Sequence, residues 1–204
     1  MTKPDWSADK ACVILASGPG LTQEQIEHAR VASWGEVHVI AVNSTFKAAP
    51  FADVVYAGDF MWWKVYHKEV AATCPAADRW TGDSKSQQNY KINRIKCVNR
   101  PGLGLHNIHM GGNSGYQAVN LAFLFGCRRI LLLGYTMRTI DGRKHHHPDH
   151  PQPLVQPILP DEWRHKFVPL AKDLAAQGCQ VINCDPLSAL TCFPMGDIEE
   201  ELKK

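Results

Sequence analysis

Short apolar runs alternate along the chain with polar, periodically patterned stretches. Ala11-Cys-Val-Ile-Leu-Ala16 is wholly apolar and stops at Ser17-Gly-Pro-Gly20, the pattern of a strand buried on both faces. Thr22 with Gln25 three residues on is a capping box, predicting a helix that runs to about Ser33 before Gly35 ends it. Val37-His-Val-Ile-Ala-Val42 is a second strand ended by Asn43. Asp53-Val-Val-Tyr-Ala57 is a weaker third, and after Gly58-Asp59 an aromatic-rich helix covers about 60–72. Successive β-α-β units of this kind imply a parallel sheet with helices on both faces.

From Cys74 to His109 the pattern thins, leaving one expected strand over 94–98. In Gly111-Gly-Asn-Ser-Gly115, Ser114 and Gln117 read as a second capping box, opening an apolar helix to about Phe125. Arg128-Arg-Ile-Leu-Leu-Leu133 is a core strand ended by Gly134. The segment to Pro160 is polar and broken by Pro148, Pro151, Pro153 and Pro157, the composition of a lid or binding loop. A helix over 161–177 is expected to kink or split at Pro169. A last strand at 179–183, a turn at Asp185-Pro-Leu-Ser188 and a solvated helix over 197–204 close the chain. The fold class is α/β: a Rossmann-like, doubly wound, mostly parallel sheet with helices on both faces and a long His/Pro-rich lid loop. The 204 residues suit a single nucleotide-binding domain over 1–204, with 134–160 as lid or active-site loop.

Composition supports a closed core, with 45% hydrophobic residues and six Trp. The formal charge of +2 gives no bulk attraction for a polyanion. The opening MTKPDWSADK lacks the apolar run of a secretion signal, and no stretch approaches membrane-spanning length, so a soluble cytoplasmic protein without a membrane span is expected. Cys12, Cys74, Cys97, Cys127, Cys179, Cys184 and Cys192 are odd in number and form no CxxC pair, which favours reduced, buried thiols. Trp62 and Trp63 suit the core, a pocket wall, or the interface of a homo-oligomer.

In an open parallel sheet, ligands bind beyond the carboxyl ends of the strands. Ser17-Gly-Pro-Gly20 before a capped helix is either a phosphate cradle or a tight turn; it has no Walker lysine and no third fingerprint glycine. Gly111 to Gly115 is a second such entrance, and two together favour a nucleotide. Asn43 either reads a base or ribose or makes an Asx turn, and Asp59 either holds ribose hydroxyls, acts as a base, or caps the next helix. Lys144-His-His-His-Pro-Asp-His-Pro151 offers a general base, a divalent metal site with Asp149, or an exposed loop. No D-x-D pair occurs, so the usual acidic anchor of a metal-bound sugar diphosphate is missing and no cofactor is required.

The motifs VILASGPGL, AVNS, AGD, GNSGYQAVNLAFLFGCRRILLLGYTM and CQVINCDPLSAL, in this order from Ala11 to Leu190, resemble the bacterial lipooligosaccharide sialyltransferases and the phage and bacterial proteins that share their fold. Small phage-encoded, glycosyltransferase-like members carry a similar loop where DGRKHHHPDHP stands here. The resemblance implies that Ser17, Gly18 and Gly20 approach the nucleotide phosphate or ribose. Asn43 and Asp59 line the same pocket, and Asn113, Ser114 and Gly115 hold the nucleotide from the second entrance. It further implies metal-independent glycosyl transfer from a nucleotide-activated sugar to a hydroxyl acceptor, with a His as general base. His147 and His150 are the favoured bases, His165 stands behind them, and Lys144 or Arg143 offsets charge on the leaving phosphate. Thr136 stands where relatives often have Asp. Two rival expectations are an ATP- and Mg-dependent pyrophosphokinase or phosphohydrolase of the same fold, and a non-catalytic nucleotide-sequestering phage protein acting in the host cytoplasm.

Overall fold

A computed structural model describes residues 3–6, 10–148, 151, 154 and 160–204. β1 (Ala11–Leu15) leads through α1 (Gln23–Ala32) to β2 (Val37–Val42), whose end winds into a 3-10 turn over Asn43–Lys47. β3 (Val54–Tyr56), α2 (Phe60–Thr73), β4 (Asp78–Thr81), α3 (Ser84–Tyr90) and β5 (Asn93–Arg94) follow, then two short strands, β6 (Cys97–Val98) and β7 (Ile108–His109), that pair with each other in a separate two-stranded sheet. α4 (Ser114–Leu124), β8 (Arg129–Leu133), α5 (Pro160–Ala176), β9 (Gln180–Asn183) and α6 (Ile198–Leu202) complete the order.

Among the described residues, seven strands form one parallel sheet in the order β5-β4-β3-β2-β1-β8-β9. The chain winds outward from β1 to β5, and α4 then returns it to the other side of β1. The fold is therefore Rossmann-like and doubly wound, with its switch point between β1 and β8, where adjacent loops leave in opposite directions and open a crevice. Alternation along β1 explains its unbroken apolar run. Cys12 and Ile14 pack with Tyr116 and Leu121 of α4 and Phe167 of α5, while Val13 and Leu15 pack with Ile26 of α1 and Trp63 of α2. Each such fully buried aliphatic side chain contributes roughly 1.5–3 kcal/mol.

β1, β2, β3, β8, β9 and the Thr22 capping box of α1 lie where the sequence places them. Four features differ. Between Cys74 and His109 the protein builds β4, α3 and β5, extending the sheet to its margin, and the strand expected over 94–98 divides between β5 and β6 as the chain leaves the main sheet. β4 reads Asp-Arg-Trp-Thr, too polar to announce a strand, because its first two positions are only half-buried. α5 runs unbroken through Pro169: the bond lost to the His165 carbonyl falls where His165 and Val168 meet solvent, while Phe167 and Leu170 anchor the opposite side. α4 is capped by Asn113, not Ser114, and its Gln117 does not close a capping box.

α6 is the fourth: Ile198 and Glu201 are buried, and Arg129 donates to the Glu201 carbonyl at 2.6 Å and to its carboxylate at 2.8 Å. All seven cysteines are free thiols, five of them buried. Trp63 is core, its indole donating to the Ala57 carbonyl at 2.9 Å.

Candidate functional site

Two joined cavities lie over the carboxyl ends of β1, β2, β3 and β8. The inner one, about 140 Å³, sits at the switch point between Ser17, Gly18, Gly115, Gly134 and Arg138. The outer one, about 340 Å³, extends past Asp59, Trp62, Met110 and Leu154. Asn43, Asn113, Ser114, Lys144, His145 and Trp163 line both and form the waist between them.

The Ser17 to Gly20 turn is held from beneath. The Gly18 amide donates to the Gly134 carbonyl at 2.9 Å, and the Gly20 amide donates to the Thr136 hydroxyl at 2.8 Å. Thr136 in turn donates to the Asp185 carboxylate at 2.5 Å. A Cβ on Gly18 would lie 2.4 Å from the Gly134 carbonyl, and one on Gly20 only 2.3 Å from Asp185 Oδ1. Both glycines are thus required by the close approach of the β8 and β9 loops, and the amides expected to cradle phosphate are spent inside the protein. Burial pushes the Asp185 carboxyl up, against the hydrogen bonds it accepts from Thr136 and Leu187.

The second entrance is differently made. Gly111 and Gly112 adopt φ of +55° and +89°, turning the chain sharply into α4, and the indole of Trp163 lies over Gly112. Asn113 caps α4 by accepting from the Tyr116 amide at 2.8 Å, while its Nδ2 is buried without a hydrogen-bond partner. Ser114 accepts from the Gly58 amide at 3.2 Å, tying the start of α4 to the end of β3. Gln117 accepts from Tyr56 at 2.8 Å and donates to the Met110 carbonyl at 3.0 Å, so its role is to fix the cleft wall. Beneath Gly115, the Tyr135 hydroxyl donates to that residue's carbonyl at 2.9 Å.

Asn43 opens the 3-10 turn in a left-handed conformation, φ +51°, and lines both cavities. Asp59 caps α2, its Oδ1 accepting from the amides of Met61 and Trp62 at 2.6 and 3.1 Å. It also lines the outer cavity, so the capping role does not remove it from the site. Trp62 is nearly buried there, its indole donating to Ser44 at 3.2 Å.

The histidine loop crosses the cleft with Lys144 and His145 on the lining. His146 is tucked beneath: its amide donates to the Ser17 carbonyl at 3.1 Å, and its Nε2 lies 3.4 Å from Thr45 Oγ1. Burial first, then the neighbouring His147 and His145, lowers the His146 imidazole to about 4. His147 stacks on His145 with ring centroids 5.0 Å apart. Arg143 is exposed and on neither lining, as is His165 on α5; His150 and Asp149 lie outside the described residues. Sequence reasoning did not single out His145, Trp163 or Arg138 within this site. The triple His gave no sign of which imidazole faces the cleft, and Trp163 lay on a helix expected only to cover the sheet.

Among the described residues no cluster of His, Cys, Asp and Glu is placed to hold a metal ion, and no helix is long and apolar enough to cross a membrane. No protein-family model matches the chain, and no curated protein does. Among solved structures, it is similar to the MAf glycosyltransferase from Magnetospirillum magneticum AMB-1, with a TM-score of 0.65 and 11% identity. That likeness covers all of this chain and 37% of the other, so the chain spans about a third of its neighbour's length. At this identity the likeness carries the architecture alone: the chain has a glycosyltransferase-like α/β fold.

Proposed function

We propose that the protein is a cytoplasmic glycosyltransferase-like enzyme that binds a nucleotide-activated sugar in the cleft over the strand ends. The observation that carries this reading is Asn113 at the α4 entrance, which lines both lobes of the cleft at the switch point and holds a buried Nδ2 without a hydrogen-bond partner. A buried donor without an acceptor costs about 1–3 kcal/mol, which a phosphate, ribose or carbonyl oxygen would recover. Lys144 stands at the waist to offset phosphate charge; Arg143 lies off the lining. The finer likeness, to the sialyltransferases and their phage-encoded kin, rests on the short sequence motifs and leaves the donor sugar open. The first entrance enters this proposal as support: Ser17 and Gly18 line the inner lobe, and Gly20 holds the turn in place.

The proposed base lies in the histidine loop. His145 is the base favoured by this reading because it lines both lobes, while His147 lines neither and stacks behind it and His150 lies outside the described residues. In the proposed step, His145 takes the proton of an acceptor hydroxyl, and that oxygen bonds to the anomeric carbon. The carbon–oxygen bond to phosphate breaks, and the nucleotide leaves with the electron pair. Lys144 and Arg138 supply the positive charge, so the step is written without a divalent ion.

A thermal-shift panel of CMP, CDP, UDP, GDP, ADP, ATP and their sugar conjugates, with and without Mg²⁺, tests binding. A raised midpoint with a pyrimidine or purine nucleotide in the absence of metal is the expected result. Stabilisation by ATP only with Mg²⁺ would replace this reading with phosphoryl transfer, and tight binding without turnover would replace it with sequestration. With the active donor, His145→Ala is expected to lower kcat by about 10²–10⁴ while binding persists. An unchanged rate would remove His145 from the chemistry.

A further inference from the structure

The two lobes differ in charge and in surface, and the difference gives a bound donor a direction. Lys144 and His145 stand at the waist and serve both. Beyond the waist the inner lobe adds Arg138 and the Gly115 backbone, whereas the outer lobe adds Asp59 and Trp62. Both capping bonds of Asp59 fall on Oδ1, leaving Oδ2 without a protein partner among the described residues. The first amides of α2 are already answered by that carboxylate, so no positive helix end is left there for an anion. The indole of Trp163 is half-buried over Gly112, and the residue stands at the waist, where it borders the outer lobe as well as the inner one.

Resting on the nucleotide-sugar reading above, we propose that the outer lobe selects a neutral glycosyl ring and that the phosphates lie at the waist and inner lobe. The apolar C–H face of a pyranose packs on the Trp163 indole, and its hydroxyls donate to Asp59 Oδ2. A sugar carrying a carboxylate, a uronic or ulosonic acid, would bring a second negative charge beside Asp59. Like charges so placed are a discriminating element rather than a passive contact.

The test is calorimetric binding of paired donors that share base and phosphates: UDP-glucose with UDP-glucuronate and GDP-mannose with GDP-mannuronate, each beside the free nucleotide. ADP with ADP-glucose and CMP with CMP-sialic acid extend it to the other bases. For whichever base binds, the neutral conjugate is expected to bind about tenfold tighter than the free nucleotide and the acidic one no tighter than it. Asp59→Asn keeps a good helix cap and is expected to narrow the gap between neutral and acidic sugars to about threefold or less. Trp163→Ala is expected to weaken the neutral conjugate about tenfold and leave the free nucleotide unchanged, with Trp163→Phe in between. Equal or tighter binding of the acidic sugar overturns the inference and leaves the proposed function standing. So does an equal loss of free nucleotide and conjugate in Trp163→Ala, which would put the base on that indole. No binding by any nucleotide overturns both.

Discussion

The protein has two glycine-rich helix entrances, and they are built for different ends. At Ser17 to Gly20 the glycines admit neighbouring backbone and side chains, and the Gly18 and Gly20 amides are bound to Gly134 and Thr136. At the second entrance Gly111 and Gly112 turn the chain with positive φ, Gly111 also making room for the Tyr116 ring, and a side-chain donor, Asn113 Nδ2, is left inside without a partner. A glycine-rich turn at a switch point is therefore first an answer to crowding. What sets the second entrance apart is an unanswered polar group on a residue that lines the cleft, whereas the unanswered Trp80 Nε1 and Asn107 Oδ1 lie on residues away from it.

Substitutions should separate the two entrances. The largest effect is expected from Gly18→Ala, whose Cβ would meet the Gly134 carbonyl at 2.4 Å. Backbone cannot yield as a side-chain tip can, so a loss of about 3 kcal/mol is expected in chemical denaturation. A loss under about 1 kcal/mol would mean that the first entrance is looser than its geometry and free to serve a ligand. Asn113→Asp is the counterpart at the second entrance. It keeps the Oδ1 cap and suits the helix dipole, but it buries a second carboxylate oxygen without a partner, so a loss of about 1–3 kcal/mol is expected in chemical denaturation. It also replaces the unpartnered donor with an acceptor, and nucleotide affinity is expected to fall at least tenfold, about 1.4 kcal/mol. Retained affinity would show that the ligand does not reach Nδ2. Ser114→Ala removes the bond from the Gly58 amide and should cost about 1 kcal/mol, read as a lower denaturation midpoint.

The contrast also explains what was legible in the sequence. Periodicity and caps give β1, α1, β2 and β8 because these are buried on both faces or capped by local chemistry, which the chain itself spells out. β4 and α3 escape it because a marginal strand needs only Trp80 and Thr81 buried, too little for a pattern. Ser17, Gly18, Asn43, Asp59, Asn113, Ser114, Gly115 and Lys144 do line the cleft, since strand ends and helix starts are sequence-local features. Which amides remain open is not local. It depends on Thr136, Gly134 and Asp185, more than 100 residues from the first turn, and on which of three successive imidazoles the loop turns inward.

The smallest expected effect concerns how the lid rests on the first entrance. His146 docks there through the Ser17 carbonyl and Thr45, and its pKa is lowered from the ordinary value near 6.5 to about 4 by burial and by His147 and His145. Docking therefore favours the neutral ring. Between about pH 6.5 and 4 the released loop binds more protons than the docked one, so the docked state loses stability as pH falls through that window and loses none above it. Asp185 acts in the opposite sense, because its raised pKa makes the folded state the better proton binder as pH drops. The informative quantity is thus the difference between wild type and His146→Gln, which removes one titration and leaves the other. Wild type should lose about 1 kcal/mol more than the variant between about pH 7 and pH 5.5, seen as faster hydrogen exchange at the His146 amide and a lower denaturation midpoint. If the two lose equally, the imidazole is not what docks the lid, and the first entrance holds it by the backbone bond to Ser17 alone.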